Sequence, residues 1–418
     1  MSNWPESIAG NEIGDGRFAN QVDRPATIDE LKEIVGRRVR QGHALYPRGG
    51  GVSLDYGGVP RTPGVAIDTR GLDRVIDYPH ADMTITVEAG ITLTNLRDRL
   101  LEHGQRPSID APRADRATLG GIFACDACSS RRFGWGRPRD AIIGVGFVTS
   151  DGELVKGGGR VVKNVAGYDM PKLLTGSLGT LGILAWMTLK VRPRPERSAL
   201  AWVALPNLEE CGVLLDRLNH SATRPVALDL LNHSAAQAIG EPLGLPASNG
   251  VLIVGFEDNA SSVAWQIDRI RSEVAPHDLC VLENDSADTL WSALTDFQED
   301  APGALTLLAN IRPSALPTFI ARLSPERWSI QAHAGNGIVR AHALGDHSLE
   351  EIQGEIDRAR RDAVAAGGNL ILPRCPTAWK ERLLVWGEPR DDWALAERVR
   401  KALDPSGLMN PGRFIGTI

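Results

Sequence analysis

Of the 418 residues only five are cysteine. An odd number at irregular spacing excludes a disulfide framework and fits a reducing compartment. Cys125 and Cys128 form one CxxC, but the second pair that a structural zinc site needs is missing. The thiols are read as small packed side chains, ahead of a redox dithiol. The chain also lacks any run of the roughly 18 apolar residues that a membrane helix requires, and its first residues, MSNWPESIAGNEIGDG, have neither a basic leader nor an apolar core. Charged residues are 23% of the chain and sum to −6, so the basic footprint of a nucleic-acid or anionic-lipid binder is absent. Two nucleotide motifs are missing as well. Nowhere does GxxxxGK[ST] occur, for KGGGRVVKN has glycines without the Lys-Ser/Thr pair, and no GxGxxG follows a first strand. A Walker ATPase and a Rossmann dehydrogenase are thereby disfavoured. What remains is a soluble, cytoplasmic protein acting on a small molecule, with docking to a membrane-bound partner left open.

Glycine is what the chain has in quantity, and residues 44–58, ALYPRGGGVSLDYGG, are its most informative use. An apolar strand runs into three consecutive glycines. Such a run admits positive φ, so that successive N–H groups can converge on an anion. Arg48 enters the loop and Ser53 leaves it, adding a fixed cation and a hydroxyl. A plain turn between strands is the alternative for the triplet alone. Further glycine turns follow at Gly120–Gly121, Gly157–Gly159 and SLGTLGI, and their dispersal suits a long ligand contacted at many points.

With domains of about 100–200 residues, the length indicates two or three. TIDELKEIVGRRVRQG and TLTNLRDRLLEHG have helical spacing, whereas GVAIDTR, MTITVEAG, DAIIGVGFVTSDGELVKG and LGILAWMTLKVRP are short β-branched runs bounded by glycine and proline. RPRPE near 192–196 has linker composition. Strand and helix units follow, economically packed as antiparallel strands backed by helices. The turn-rich tail DPSGLMNPGRFIGTI has too little apolar surface to stand alone and is expected to return to the first domain.

RGGGVSL, VEAGITL, ATLGG, RRFGWGRPRD, VVKNVAGYD, TGSLGTLGI and DPSGLMNPGRF occur in the order and spacing of flavoproteins of the vanillyl-alcohol-oxidase type. Within them the chain resembles the FAD-binding subunits of bacterial glycolate oxidase, and leucine at 178, where the D-type paralogue has glutamate, resembles the E type. The resemblance implies an α+β chain: a PCMH-type FAD-binding domain of two α/β subdomains over 1–195, a ferredoxin-like antiparallel cap over 196–400, and a tail over 401–418 docked on the FAD domain. It implies that Pro47, Arg48, Gly49, Gly50, Gly51, Val52, Ser53 and Leu54 hold the FAD pyrophosphate. Pro112, Thr118, Leu119, Gly120 and Gly121 would line phosphate and flavin, and Gly179, Gly182 and Ile183 the adenosine end. Relatives with covalent flavin carry a histidine at the first loop. Val52 and Ser53 stand there here, so non-covalent FAD follows.

In WSIQAHAGNGIVRAHAL, Asn336-Gly337 between alternating residues signals a type I′ hairpin. That turn pairs His333 with Arg340 and Gln331 with His342, all on one face. The catalytic D-type relatives have a motif like HxGDGNxH here, whose histidines bind a divalent metal. His333 matches the first histidine, but Arg340 replaces the second and Asn336 the aspartate, so no metal is expected. Arg340 could instead hold the carboxylate of a 2-hydroxy acid, or the face could simply be solvated. Lys163, Asn164 and Tyr168 are further candidates near the flavin. In the catalytic reading the site lies between the domains, His333 takes the hydroxyl proton and FAD takes hydride, with electrons passing to an iron–sulfur subunit in a complex with a D-type flavin subunit. The rival is an FAD-binding accessory subunit that relays electrons without turning over substrate. A structural protein that has lost FAD is a third reading, opposed by the intact glycine turns.

Overall fold

The computed structural model describes residues 10–159, 167–240, 243–246, 248–300 and 303–415. They sort into two compact units. The first comprises Met1–Cys128, Arg137–Arg194 and Glu388–Ile418, and the second Ser129–Gly136 and Pro195–Gly387. Compared with the expected limits, the tail joins the first unit from 388 rather than 401, because Val399 and Leu403 of the helix Trp393–Leu403 pack on that unit's core. A short piece of the RRFGWGRPRD motif belongs to the second unit.

The first unit is α+β in two parts. One is a parallel three-stranded sheet in the order Gln21–Asp23, Gly64–Asp68, Ala44–Arg48. The amphipathic helix Ile28–Arg40 precedes its glycine-loop strand. Thr27 caps that helix through the N–H of Glu30, acids fill the first turn and arginines the last, and Leu31 and Val35 are buried. The other part is antiparallel, in the order Leu154–Gly158, Ile142–Val148, Ile183–Pro193, Thr84–Glu88, Val75–Asp77, with Gln105–Pro107 paired to the long central strand. The tail closes the parallel part: Leu45 N–H donates to Leu408 O, and Asn410 N–H to Leu45 O.

The second unit is one antiparallel sheet of eight strands, in the order Cys280–Glu283, Arg197–Leu205, Gly250–Asp258, Ala227–Asn232, Trp328–His333, Ile338–Ala343, Thr306–Asn310, Asn369–Arg374. Alternation sorts its side chains. Leu228, Leu230, Trp328, Ile330, Ala332, Val339 and Ala341 enter the larger apolar core on one face. On the other face Ala227, Leu231, Val251 and Ile253 pack with the helices His233–Gly240 and Asn284–Asp296. Where that second apolar cluster ends, the same face continues as Asp229, Gln331, His333, Arg340 and His342.

Candidate active site

In the first unit a cavity is lined by Pro47, Arg48, the three glycines, Val52, Ser53, Leu54, Pro112, Thr118, Gly120, Gly121, Gly179, Gly182 and Ile183, among others. Residues scattered over 137 positions of sequence thus meet at one place, and contacts between the turns show why glycine is needed. A Cβ at Gly49 would stand 2.1 Å from Thr118 Oγ1, and one at Gly50 would stand 1.7 Å from the carbonyl of Arg116. Gly179, at φ +70°, leaves its Cβ position 3.0 Å from Pro47. The second turn is fixed in the same way, since Leu119 N–H donates to Ile91 O and Gly120 N–H to Ala89 O, out of the VEAGITL segment.

Arg48 supplies the electrostatics. Its Nε and Nη1 are buried without a hydrogen-bond partner among the described residues. Asp68, the neighbouring carboxylate, is taken by Arg70 through paired hydrogen bonds of 2.9 and 2.6 Å and by Arg24 at 3.3 Å. Burial, and then repulsion from Arg70, push the Arg48 guanidinium below its usual range. A desolvated cation in a glycine-walled cavity calls for an anion, and the pyrophosphate of FAD fits these donors.

Leu119 departs from expectation: its side chain is fully buried in the apolar core and is absent from the lining. Tyr168 is 90% exposed and is not among the lining residues either. Lys163 and Asn164 lie outside the described residues. Among the lining residues that the sequence did not mark are Tyr56, Cys125, Asn410 and Arg413. The motif MNPGRF held the signal for the last two, but its side chains had no evident target until the tail was placed.

In the second unit the hairpin register differs from the expected one. Residues 334–336 form a 3₁₀ turn closed by Gly337 at φ +67°, so the connection spans four residues rather than two. Gln331 therefore pairs with Arg340, Ser329 with His342 and His333 with Ile338. A shift of two residues preserves the side-chain alternation, so the four polar groups still share a face. That face is buried rather than solvated: Ser329, Gln331, His333 and His342 are all shielded from solvent. It is covered by the end of the helix Asn284–Asp296 and by the segment Ser129–Gly136, whose Phe133 fills the space beside Gly335.

Hydrogen bonds organise this face. Asp229, 0% exposed, accepts on one oxygen from Ser130 Oγ at 2.5 Å and from Gln331 Nε2 at 2.9 Å, and its other oxygen lies 3.0 Å from His333 Nδ1. Arg340 donates from Nη2 to Gln298 Oε1 at 2.8 Å. His342 shares a 2.9 Å bond with Thr306 Oγ1, and burial followed by repulsion from Arg340 pushes its imidazole down to about 3. Neither Asp229 nor Ser130 carries a local sequence signal, for they join His333 only through sheet pairing and chain return.

Fold and cavity together define a flavoprotein, and comparison with known families states which kind. Residues 19–158 match the FAD binding domain, and residues 194–322 and 380–414 match the C-terminal domain of FAD linked oxidases. The chain is an FAD-dependent oxidoreductase built of these two domains, with FAD as its cofactor. Over 414 residues it is 22% identical to the glycolate oxidase subunit GlcD of Bacillus subtilis (strain 168), covering 94% of this chain and 88% of that protein. Over 136 residues it is 36% identical to the glycolate oxidase subunit GlcE of Escherichia coli (strain K12), covering 32% of this chain and 39% of that one. A solved structure of alkyldihydroxyacetonephosphate synthase has the same fold, with a TM-score of 0.68 at 17% identity over 94% of this chain and 77% of that one. Both glycolate oxidase subunit types are matched, so the comparisons do not single out the E type.

Proposed function

We propose that the chain is the FAD-binding subunit of a 2-hydroxy acid oxidase or dehydrogenase that converts a small 2-hydroxy acid such as glycolate to the 2-oxo acid. The observation that carries this reading is the pairing, in one chain, of a glycine-walled cavity around the desolvated Arg48 with a buried polar face that presents His333 and Arg340. Residues 47–54, Pro112, Thr118, Gly120, Gly121, Gly179, Gly182 and Ile183 hold FAD non-covalently, since Val52 and Ser53 stand at the first loop and no histidine is among the described residues that line the cavity. When bound, FAD accepts the hydrogen on C2 of the substrate together with its electron pair. The protein supplies position and charge. Arg340 binds the substrate carboxylate, which a planar guanidinium does bidentately, and His333 accepts the hydroxyl proton. Electrons then leave for an iron–sulfur subunit, in a complex with a D-type flavin subunit, and this chain fills the E-type place.

A second reading is favoured by one departure. Arg340 stands where the D-type relatives have a metal-binding histidine, which supports an FAD-binding accessory subunit that relays electrons without oxidising substrate itself. Anaerobic mixing of the FAD-loaded chain with glycolate or lactate separates the two. Bleaching of the flavin band is expected. Its failure at every substrate level, with FAD bound, selects the accessory role, and an isolated chain that takes up no FAD sinks both.

A further inference from the structure

The hydrogen bonds around Asp229 leave little choice about which atoms carry protons. Leu294 O can only accept, so the Gln331 nitrogen that bonds it at 3.0 Å must be the amide NH₂, and that same nitrogen donates to Asp229 Oδ2. Ser130 Oγ donates to Oδ2 as well. With two donors directed at Oδ2, this oxygen is occupied as an acceptor, and the carboxylate's remaining oxygen, Oδ1, faces His333 Nδ1 at 3.0 Å. A carboxylate oxygen accepts, so the neutral imidazole must hold its proton on Nδ1. Nε2 is then the nitrogen with the lone pair. No hydrogen bond from Nε2 occurs among the described residues, and Nε2 is not among the buried, unpartnered atoms although the residue is only 4% exposed.

We propose that Asp229 is a positioning residue that locks His333 as the Nδ1–H tautomer, and that Ser130 and Gln331 set which carboxylate oxygen does so. The inference rests on the function proposed above for its chemical use. The hydroxyl O–H bond of the 2-hydroxy acid breaks, its proton goes to Nε2, the hydrogen on C2 leaves with its electron pair to FAD, and the carbon–oxygen double bond forms. A fixed tautomer matters because the alternative, with hydrogen on Nε2, cannot accept that proton. Ser130 gives the network a particular origin. It lies in the segment Ser129–Gly136 that the chain sends from the sequence of the FAD-binding unit into the second unit. Gly134 N–H donates to Val226 O, and Arg131 bonds Glu257 at 3.0 Å and stacks 3.8 Å over the Trp291 ring. The seryl hydroxyl is thus held on the carboxylate by a segment anchored immediately after it, at Arg131 and Gly134.

The test is the Asp229→Asn protein. Its amide oxygen must take the Oδ2 position, where Gln331 and Ser130 donate, so its NH₂ falls opposite His333 Nδ1 and forces the proton onto Nε2. In histidine-labelled full-length protein, long-range proton–nitrogen correlation spectra distinguish the two tautomers, and loss of signals in His333→Gln assigns the residue among the nine histidines. The expected result is Nδ1–H in the unaltered protein and Nε2–H in Asp229→Asn. The FAD-loaded variant should keep its flavin and KM while kcat falls by up to about 10⁴-fold, the loss known for a wrong-tautomer histidine base. Ser130→Ala keeps one donor on Oδ2, so it should retain Nδ1–H and lose less than about tenfold in kcat, within the worth of one hydrogen bond. An Nε2–H tautomer in the unaltered protein overturns the proposal, whether or not Asp229→Asn folds, and so does an unchanged tautomer in a folded Asp229→Asn. If hydroxy acids never reduce the bound flavin, the proton-accepting role falls with the proposed function, while the spectrum still decides the lock.

Discussion

Arg413 and Asp15, 398 residues apart in the chain, form a buried ion pair at 2.5 Å that ties the tail to the start of the first unit. The guanidinium also donates to the carbonyls of Gly58, Ile13 and Leu54, so most of its donors are used. Leu54 ends the glycine loop and lines the cavity. The tail therefore holds the loop in place and is part of the binding unit.

Arg413→Met should strand Asp15 without its cation, and removing one partner of a buried pair costs about 3–5 kcal/mol. Urea unfolding should show that loss, with flavin occupancy falling as the 52–58 segment loosens. A second change, Asp15→Asn, should recover part of the stability. If the single variant unfolds at the native urea midpoint, the pair is not structural.

Gly50→Ala should abolish tight FAD binding, because its Cβ would meet a backbone carbonyl at 1.7 Å. The ratio of flavin to protein absorbance after reconstitution reads this directly. Gly354→Ala, on the helix Leu349–Ala365 and outside the cavity lining, has nothing within 4 Å of the added carbon among the described residues and serves as the control. Equal flavin content in both variants would remove the close-packing argument.

His342 makes stability depend on pH in a stated direction. Burial first, and then Arg340 and Arg374, hold its imidazole neutral in the folded protein down to about 3, against an ordinary 6.5. Below 6.5 the unfolded chain binds a proton that the folded chain does not. The contribution is complete above that pH and is lost as pH falls toward 3, at a slope of up to about 1.4 kcal/mol per pH unit. Unfolding free energies measured from pH 7 to 4.5 should fall more gently in His342→Gln. Parallel curves for the two proteins would contradict the assignment.

Arg340→Met tests the substrate anchor. Losing a charge-assisted, bidentate contact should weaken hydroxy acid binding by about 10–100-fold, the equivalent of roughly 1.5–3 kcal/mol. Arg340→Lys should restore charge but only part of the affinity, because an ammonium cannot reproduce the planar fork. Anaerobic flavin reduction titrated against substrate gives the constants, and unchanged affinity in Arg340→Met would remove the carboxylate-binding role from this residue.

Local chemistry made much of this protein legible. The helix at Ile28–Arg40 announces itself by its threonine cap, acidic first turn and basic last turn. The strand before the glycine loop, the loop itself and the later glycine turns were readable because glycine is required where backbone passes close to backbone. The alternation of the 328–343 hairpin placed its polar residues on one face, a property that survived the two-residue register shift because strand periodicity is two.

Other features depend on neighbours that the local sequence does not show. The turn at 334–337 became a four-residue connection with Gly337 packed within 2.0 Å, at its absent Cβ, of Ile311 O, a contact across the sheet. The polar face looked exposed from its own strands and is buried because the helix ending at Asp296 and the piece 129–136 cover it. Leu119 moved from cavity to core because its helix turns that side inward. The sequence by itself determined where the backbone must approach itself or a ligand closely, and so the cofactor class. Only the tertiary structure decided which side chains complete the sites, Arg413 from the tail and Asp229 and Ser130 beside His333. Hydrogen bonds between residues 99 to 398 positions apart leave no periodic trace along the chain.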